Sequence, residues 1–318
     1  MTATALRLEP AWPDPDAVLA VIRSAGPFWP LTNYAAGDAE MAALGSKPHT
    51  FTPPWFRQDF ALLGAAIVEG AEVILGNPRF AEAAHALAGS EAVVRPTTVY
   101  VNVMGPTPFP FAPHLDVPAF RGFTRTDHPL WLLKVMKTSG LFERWRTKIV
   151  TAVSWMYDGV GGDFHYWPEG PDGPGAVESP PFANVAVVAD NEETFHGVAP
   201  LGAPGATMPT NLDRESRLVR GDGAWVVHDP TGVELARFAD ADARITISWK
   251  ADVFADAAEA ARTDAGDDAL DLDTVVEVFR ADLADRGVVV DRPADPHADP
   301  AWVSAVGGTY RDPAPAIA

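Results

Sequence analysis

Apolar residues recur at helical spacing towards both ends of the chain. One such series follows Pro53-Pro54 and predicts a long helix with one apolar face, formed by Phe60, Leu63, Ile67, Ala71 and Ile74. Shorter helices are predicted for residues 15–22 and 79–87, because proline stands at the start of each and glycine follows the second. Beyond residue 250, two acidic helices are predicted, the second with an apolar face of Leu272, Val275, Phe279 and Leu283. The stretch from Pro293 onward has the composition of a loosely held tail.

The middle of the chain has the pattern of β-strands. Residues 93–104 are rich in β-branched side chains and lack helical periodicity, and Tyr100 and Asn102 fall on one face of this strand. Further strands are predicted over residues 151–157, 163–168, 184–189 and 244–250, and a hairpin over 224–238. A helix is predicted over 128–150, with an interruption at Ser139-Gly140, and a surface loop over 169–181. The pattern predicts a single domain over residues 1–318, with a helical part over 1–91, a strand core over 92–250 and an acidic helical part with a tail over 251–318.

Composition and charge narrow the class of protein. A hydrophobic fraction of 47% supports a buried core, and no run of 18 apolar residues predicts a membrane span. The net charge of −19 disfavours binding to nucleic acid or to anionic membranes. The absence of cysteine excludes disulfides, zinc fingers, iron–sulfur clusters and thiol nucleophiles. The start of the sequence lacks a signal-peptide pattern, so a cytoplasmic protein is expected; the oligomeric state stays open.

Three residues are candidate metal ligands. His114 and Asp116 stand two residues apart, and His196 lies further along in the segment Thr194-Phe195-His196-Gly197-Val198. In a strand, side chains at i and i+2 point to one face with their Cα atoms about 6.6 Å apart, so the pair can turn towards one ion. Two histidines and one carboxylate are typical of non-heme Fe(II) oxygenases. His165, on another predicted strand, is the alternative third ligand, and Asp116 also suits the turn before Pro118.

The order of these motifs resembles that of the Fe(II)/2-oxoglutarate-dependent oxygenase superfamily, over roughly residues 93–250. That order is His-x-Asp, Gly161-Gly162 before a strand, His-Gly-Val followed by Pro200, and Arg-x-Thr. The resemblance implies an α+β protein with a double-stranded β-helix (jelly-roll, cupin-like) core, N-terminal helices, an inserted helix and C-terminal helices. It also implies that His114, Asp116 and His196 hold a catalytic Fe(II) ion.

The resemblance implies contacts to the cosubstrate 2-oxoglutarate as well. Arg244 and Thr246 match the arginine and hydroxyl residue that bind its far carboxylate, and Asn102 matches a further contact. The interval of 48 residues from His196 to Arg244 is longer than the family's usual one, and the hairpin over 224–238 would account for it as an insertion. Arg214, which is followed by Ser216, is the alternative to Arg244.

The implied activity is that of a dioxygenase. With Fe(II) and O₂ it would oxidise, and most simply hydroxylate, a small molecule such as an amino acid derivative or biosynthetic intermediate, while 2-oxoglutarate becomes succinate and CO₂. Retention of Asp116 argues against the halogenating branch of the family. Candidate substrate contacts are Arg121, Trp155, Tyr157 and Tyr166. Two alternatives stay open: an oxygenase directed at protein or peptide, and a jelly-roll metal-binding protein or isomerase without 2-oxoglutarate.

Overall fold

The computed structural model describes residues 4–34 and 52–311. Within these ranges the strands are β1 (Ala5–Leu8), β2 (Trp29–Pro30), β3 (Trp55–Leu62), β4 (Ala65–Ala66), β5 (Val93–Met104), β6 (Phe111–His114), β7 (Ala119–Phe120), β8 (Arg146–Met156), β9 (Phe164–Trp167), β10 (Ala176–Glu178), β11 (Val185–Ala189), β12 (Phe195–Val198), β13 (Arg217–Gly221), β14 (Ala224–His228), β15 (Glu234–Ala239) and β16 (Arg244–Phe254). The α-helices are Pro15–Ser24, Leu31–Tyr34, Glu72–Leu75, Pro78–Ala88, Leu130–Ser139, Ala257–Ala265, Leu272–Asp285 and Pro300–Thr309. Short 3₁₀ turns lie at Glu143–Trp145 and Asp240–Asp242.

Antiparallel sheets form the centre of the protein. The largest has the order β1-β11-β8-β16-β5-β3-β2, with β4 on β3 and β7 on β8. A second sheet has the order β10-β9-β12-β6, and a third the order β13-β14-β15. The long strands β5 and β16 pair in the middle of the largest sheet, from Arg244 opposite Met104 to Phe254 opposite Val93. The protein is thus a mixed α and β structure with large antiparallel sheets.

The two faces of the largest sheet differ in polarity. Because alternate residues of a strand point to opposite faces, β5 and β16 place an apolar set in the main core, formed by Val99, Val101, Val103, Ile245 and Ile247. Residues of the helices Pro15–Ser24 and Pro78–Ala88 pack in this same core and cover that face. The alternate residues of β5 and β16, among them Asn102 and Thr246, face a cavity that is closed on its other side by residues of β6 and β12. The sheet therefore offers its polar face to the second sheet.

The predicted helix after Pro53-Pro54 is wrong. Residues 55–62 form strand β3, which pairs with β5, and a turn at Leu63-Gly64 leads into β4. The helical spacing of the apolar residues there is coincidental, because Leu63 is 94% exposed at the turn and Ile67 is 56% exposed. Pairing with β5 buries Phe56 and Phe60 and decides the conformation. Strands from the N-terminal part thus enter the largest sheet, while the division of the chain at residues 91 and 250 stays a prediction.

Other predicted elements are confirmed or corrected. Strand β5, the hairpin β14–β15 and the two acidic helices are confirmed, and β13–β15 form a sheet of their own. The predicted helix over 128–150 ends at Ser139, where Gly140 adopts a left-handed conformation, and β8 begins at Arg146. The predicted loop over 169–181 contains β10. The predicted tail contains the helix Pro300–Thr309, because Trp302 and Val306 are buried against the helix Leu272–Asp285, while residues 312–318 lie outside the described ranges.

Each helix of the described residues falls short of the length and apolar character that crossing a bilayer requires.

Candidate metal centre

His114, Asp116 and His196 converge at one point of the fold. Strands β6 and β12 pair antiparallel with His196 directly opposite His114, so the two imidazole centroids are 4.5 Å apart. Asp116 follows the end of β6 and donates its backbone N–H to the carbonyl of Asn191 at 2.9 Å. One ligand atom of each of the three residues lies within 4.8 Å of the others. The structure therefore brings together the three candidate ligands that the sequence motifs named.

Hydrogen bonds orient both imidazole rings towards this point. Nδ1 of His114 lies 2.9 Å from the carbonyl oxygen of Ala112, and Nδ1 of His196 lies 3.0 Å from that of Thr194. A carbonyl oxygen only accepts, so each Nδ1 carries the hydrogen and each Nε2 presents its lone pair. Burial, together with the nearby His196, lowers the pKa of His114 to about 3, so this ring is neutral at neutral pH. Both rings are set up as Nε2 ligands for a metal.

Lys250 pairs with Asp116 and was missed from the sequence. Its Nζ lies 2.6 Å from Oδ2 of Asp116, while Oδ1 faces Nε2 of His196 at 3.7 Å. Burial alone would raise the pKa of Asp116, but the charge of Lys250 and its hydrogen bond to the carboxylate outweigh it and hold that pKa below its usual range. Asp116 is thus an oriented carboxylate with Oδ1 free to bind an ion. The sequence could have indicated Lys250, because it lies an even number of residues from Arg244 and Thr246 and so falls on the same face of β16.

A cavity of about 210 Å³ extends from the three ligands along the polar face of the largest sheet. It is lined by Leu31, Arg57, Tyr100, Asn102, Met104, Phe111, His114, Leu115, Asp116, Val117, Lys134, Val153, Phe164, Asn191, His196, Val198, Arg244, Thr246 and Ser248. The candidate cosubstrate residues Arg244, Thr246 and Asn102 thus share one cavity with the candidate metal ligands.

Arg244 is a buried cation with an open donor. Its side chain is 1% exposed, its Nε donates to the carbonyl of Gly162 at 2.9 Å, and its Nη1 donates to the hydroxyl of Thr246. Its Nη2 is buried and has no hydrogen-bond partner among the described residues, and none of their carboxylates forms an ion pair with it. Burial lowers its pKa to about 9, so it remains charged at neutral pH. A buried guanidinium without a carboxylate is costly unless an anionic ligand neutralises it.

The rival residues lie elsewhere. Arg214 precedes β13 and is not among the described residues that line the cavity, and its backbone carbonyl accepts a hydrogen bond from Asn33. His165 on β9 is paired with Gly197, and Tyr166 is the residue paired with His196. Alternation along β9 therefore turns His165 to the face opposite that of His196. The structure favours Arg244 over Arg214, and His196 over His165.

The predicted substrate contacts are not among the described residues that line the cavity. Trp155 and Tyr157 are buried in a hydrophobic cluster, where the Tyr157 hydroxyl donates to the carbonyl of Val160, and Tyr166 packs beside Phe164. Arg121 is held away from the cavity by its ion pair with Asp268 at 2.9 Å. The wall is instead completed by Leu31, Arg57, Tyr100, Phe111, Lys134 and Asn191. These residues come from separate elements, so no local motif marked them.

Cations of the helix Leu130–Ser139 and of strand β8 support the loop before His196. Arg146 pairs with Asp190 at 3.3 Å and with Glu192 at 3.2 Å, and Lys137 pairs with Glu193 at 2.6 Å. The same loop carries Asn191, whose carbonyl accepts the hydrogen bond from Asp116. These two cations therefore form ion pairs within the protein, and they hold in place the loop that contacts Asp116 and leads to His196.

Comparisons with protein-family models and with curated proteins find no significant match. Among solved structures, the chain is similar to an oxidoreductase of the 2OG-Fe(II) oxygenase family from Burkholderia pseudomallei, with a TM-score of 0.42 and 11% identity over 78% of this chain and 84% of that one. A prolyl-4-hydroxylase from Pseudomonas putida gives a TM-score of 0.41 at 14% identity, over 79% of this chain and 93% of that one. HygX from Streptomyces hygroscopicus, with nickel and 2-oxoglutarate bound, gives a TM-score of 0.38 at 9% identity, over 79% of this chain and 83% of that one.

The first of these proteins belongs to the oxygenase family that the motif order resembles, and the third binds 2-oxoglutarate. At these TM-scores and identities, the geometry of the site and not the similarity carries the functional conclusion.

Proposed function

We propose that this protein is a non-heme Fe(II)/2-oxoglutarate-dependent dioxygenase with a jelly-roll core that oxidises, most simply hydroxylates, a small molecule. The observation that carries this proposal is the presence, in one cavity, of the His114–Asp116–His196 group and the buried Arg244, whose Nη2 has no partner among the described residues. Two imidazoles and a carboxylate suit Fe(II) and leave positions open for other ligands. The unpaired guanidinium suits a carboxylate, as the far end of 2-oxoglutarate provides.

The residues of the site would bind either the ion or 2-oxoglutarate. Nε2 of the two histidines and Oδ1 of Asp116 would hold the ion, while Arg244 and Thr246 would hold the far carboxylate of 2-oxoglutarate. Asn102 lies opposite Thr246 on β5, and its buried Oδ1 has no partner among the described residues, so it is available to a ligand. Iron and 2-oxoglutarate, when bound, supply the activation of O₂ and the oxidation. The protein supplies orientation and, through its apolar wall, limits the access of water.

Gly162 places Arg244 through a close backbone contact. Its φ is +78°, and a Cβ added there would lie 2.7 Å from Cδ1 of Leu201 and 2.9 Å from Cδ of Arg244. Its carbonyl accepts the hydrogen bond from Nε of Arg244 at 2.9 Å. Only glycine combines this conformation with so close an approach. The Gly161-Gly162 pair of the sequence therefore acts on the candidate cosubstrate site.

The substitution Gly162→Ala is expected to weaken 2-oxoglutarate binding by about tenfold or more, because the arginine must shift by a fraction of an ångström from the position in which its Nη2 is available to the ligand. Affinity for Mn(II), used in place of Fe(II), should be unchanged, since the metal ligands lie on other strands. Both affinities are measured by calorimetry. Gly170→Ala is the matched control, because Gly170 has a φ of +90° but open space around its Cβ position. Equal weakening in the two variants would contradict the steric explanation.

The size of the cavity supports a small-molecule substrate. As bounded by the described residues, its volume of about 210 Å³ lies below the roughly 300–1,000 Å³ of common ligand pockets. Its walls come from both sheets and from the helix Leu130–Ser139. A compact molecule fits such a space better than an extended peptide does.

Anaerobic spectroscopy tests the proposed function. Fe(II) and 2-oxoglutarate added together to the protein without O₂ should produce a visible metal-to-ligand charge-transfer band. Fe(II) alone and 2-oxoglutarate alone are the controls, and neither should produce it. Absence of the band from the protein with both additions would contradict the proposal and favour a metal-binding protein or isomerase that does not use 2-oxoglutarate.

A succinate-release screen separates the two classes of substrate. Turnover of 2-oxoglutarate is measured with pools of small metabolites and with pools of peptides. Stimulation by metabolites is expected, whereas stimulation by peptides alone would favour the protein-directed alternative.

A further inference from the structure

Two cations besides Arg244 line the cavity. They are Arg57, whose ion-pair partner Asp59 lies outside the lining, and Lys134, while Asp116 is the single acid among the described lining residues. This polarity runs against the net charge of −19 of the whole chain. A wall of this kind raises the local concentration of anions and repels cations.

Arg57 stands at the edge of the polar sheet face. On β3 it pairs with Asn102 of β5, which pairs in turn with Thr246 of β16, so Arg57 lies two strand spacings, about 10 Å, from Thr246. Its guanidinium lies over the ring of Tyr100, which pairs with Ser248, so the side chain extends along the sheet away from Arg244. The position favours a ligand other than the proposed cosubstrate.

The guanidinium of Arg57 is held in one place but keeps a donor open. It lies over the ring of Tyr100 at 3.7 Å, and its Nε and Nη2 both donate to Oδ1 of Asp59, at 3.1 and 2.9 Å. Its Nη1 has no partner among the described residues, and its side chain is 25% exposed. A pre-oriented guanidinium loses little entropy when it binds an acceptor.

Donors also lie on the opposite side, next to the candidate metal ligands. Lys134, on the helix Leu130–Ser139, is close enough to His114 for its charge to help lower the pKa of that histidine. Asn191 is 4% exposed, lines the cavity, and has a buried Nδ2 with no hydrogen-bond partner among the described residues. A buried amide without a partner is rare in native proteins, so a ligand or an ordered water is expected at this Nδ2. The same cavity is also lined by apolar residues, which include Leu31, Phe111 and Val117.

We propose that the substrate is an anion, a compact molecule whose carboxylate or similar acidic group binds between Arg57 and Lys134 while its apolar body packs against Leu31 and Phe111. This inference rests on the proposed function and names the substrate class of the same site. It replaces Arg121, a candidate substrate contact from the sequence, by two cations that line the cavity. A cationic molecule is expected to bind more weakly than an anion of the same shape.

A matched set of probes tests this proposal. The set is 3-phenylpropanoate, 3-phenylpropanamide and 3-phenylpropylamine, which share one hydrocarbon body and differ in charge. Binding is measured by calorimetry on protein loaded with Ni(II) and saturating 2-oxoglutarate, so that Arg244 is already engaged. The acid is expected to bind about tenfold more tightly than the amide, and more tightly still than the amine, since a charged hydrogen bond contributes about 1.5–3 kcal/mol and tenfold corresponds to about 1.4 kcal/mol.

Variants locate the anion site. Arg57→Gln and Lys134→Gln should each reduce the preference for the acid, and the double variant should abolish it, whereas Arg57→Lys should retain part of it. Arg214→Gln is the control, because Arg214 is not among the described residues that line the cavity. Wild-type protein without a preference for the acid, whether all three probes bind alike or none binds, overturns the proposal. A preference that survives in the double variant overturns it as well.

The same experiment separates this proposal from the proposed function. If 2-oxoglutarate does not bind to the nickel-loaded protein, the proposed function fails. The probe set is then measured without metal, and dependence of acid binding on Arg57 and Lys134, but not on Arg244, would still support an anion site. Dependence on Arg244 alone would contradict it.

Discussion

Replacement of His196 by alanine should lower the affinity for Mn(II) or Fe(II) by more than about 100-fold, because loss of an outer-shell partner alone costs about 10–100-fold and here a direct ligand is removed. His196 is buried and lies opposite His114, and two of the three candidate ligands cannot close one face around an ion. Metal binding is measured by anaerobic calorimetry, and succinate formation in the presence of 2-oxoglutarate should fall to background.

His165→Ala is the matched control for this result. It lies on the neighbouring strand β9, one residue before the position paired with His196, and faces the other side of the sheet. Its metal affinity should equal that of the wild type. A His196→Ala protein that is folded, as shown by its thermal unfolding, and that retains wild-type metal affinity would contradict the metal centre.

Replacement of Arg244 by methionine should raise the dissociation constant of 2-oxoglutarate by about 30-fold to more than 1,000-fold, because truncation of one partner of a buried charge pair costs about 2–5 kcal/mol. Metal affinity should remain that of the wild type, since Arg244 is not one of the three converging ligands. Without ligand, the variant should be at least as stable as the wild type, because burial of an unneutralised guanidinium is unfavourable. The increase in melting temperature that 2-oxoglutarate produces in the wild type should disappear.

Two further substitutions sharpen this test. Arg214→Met changes the rival arginine and should leave the affinity for 2-oxoglutarate unchanged. Arg244→Lys keeps the charge but not the planar pair of donors, so its affinity should lie between those of the wild type and the methionine variant. If Arg214→Met is the variant that loses 2-oxoglutarate, the assignment of Arg244 is wrong.

Local sequence patterns were sufficient to predict much of the secondary structure. They were insufficient where pairing between distant strands decides the conformation. Strand β5 follows from its β-branched residues, and the acidic helix Leu272–Asp285 from the helical spacing of its apolar residues. The segment around Phe60 has apolar residues at helical spacing, yet it forms β3, because a place beside β5 satisfies its backbone and buries Phe56 and Phe60. A sequence window contains no information about a free sheet edge elsewhere in the fold.

The candidate site shows the same division. The sequence by itself named His114, Asp116, His196 and Arg244 as candidates, because residue type, spacing and order along the predicted strands mark them. The tertiary structure alone decided that Lys250 holds Asp116 and that Arg121 is paired with Asp268 away from the cavity.

The tertiary structure also decided which side chains form the wall of the cavity. Arg57, Lys134 and Asn191 come from a strand, a helix and a loop that are far apart in sequence. Their proximity depends on the order of strands in the sheet and on the packing of the helix against it. The ligands of an ion can be recognised from short spacings, whereas the shape and charge of the surrounding cavity arise only when distant elements pack together.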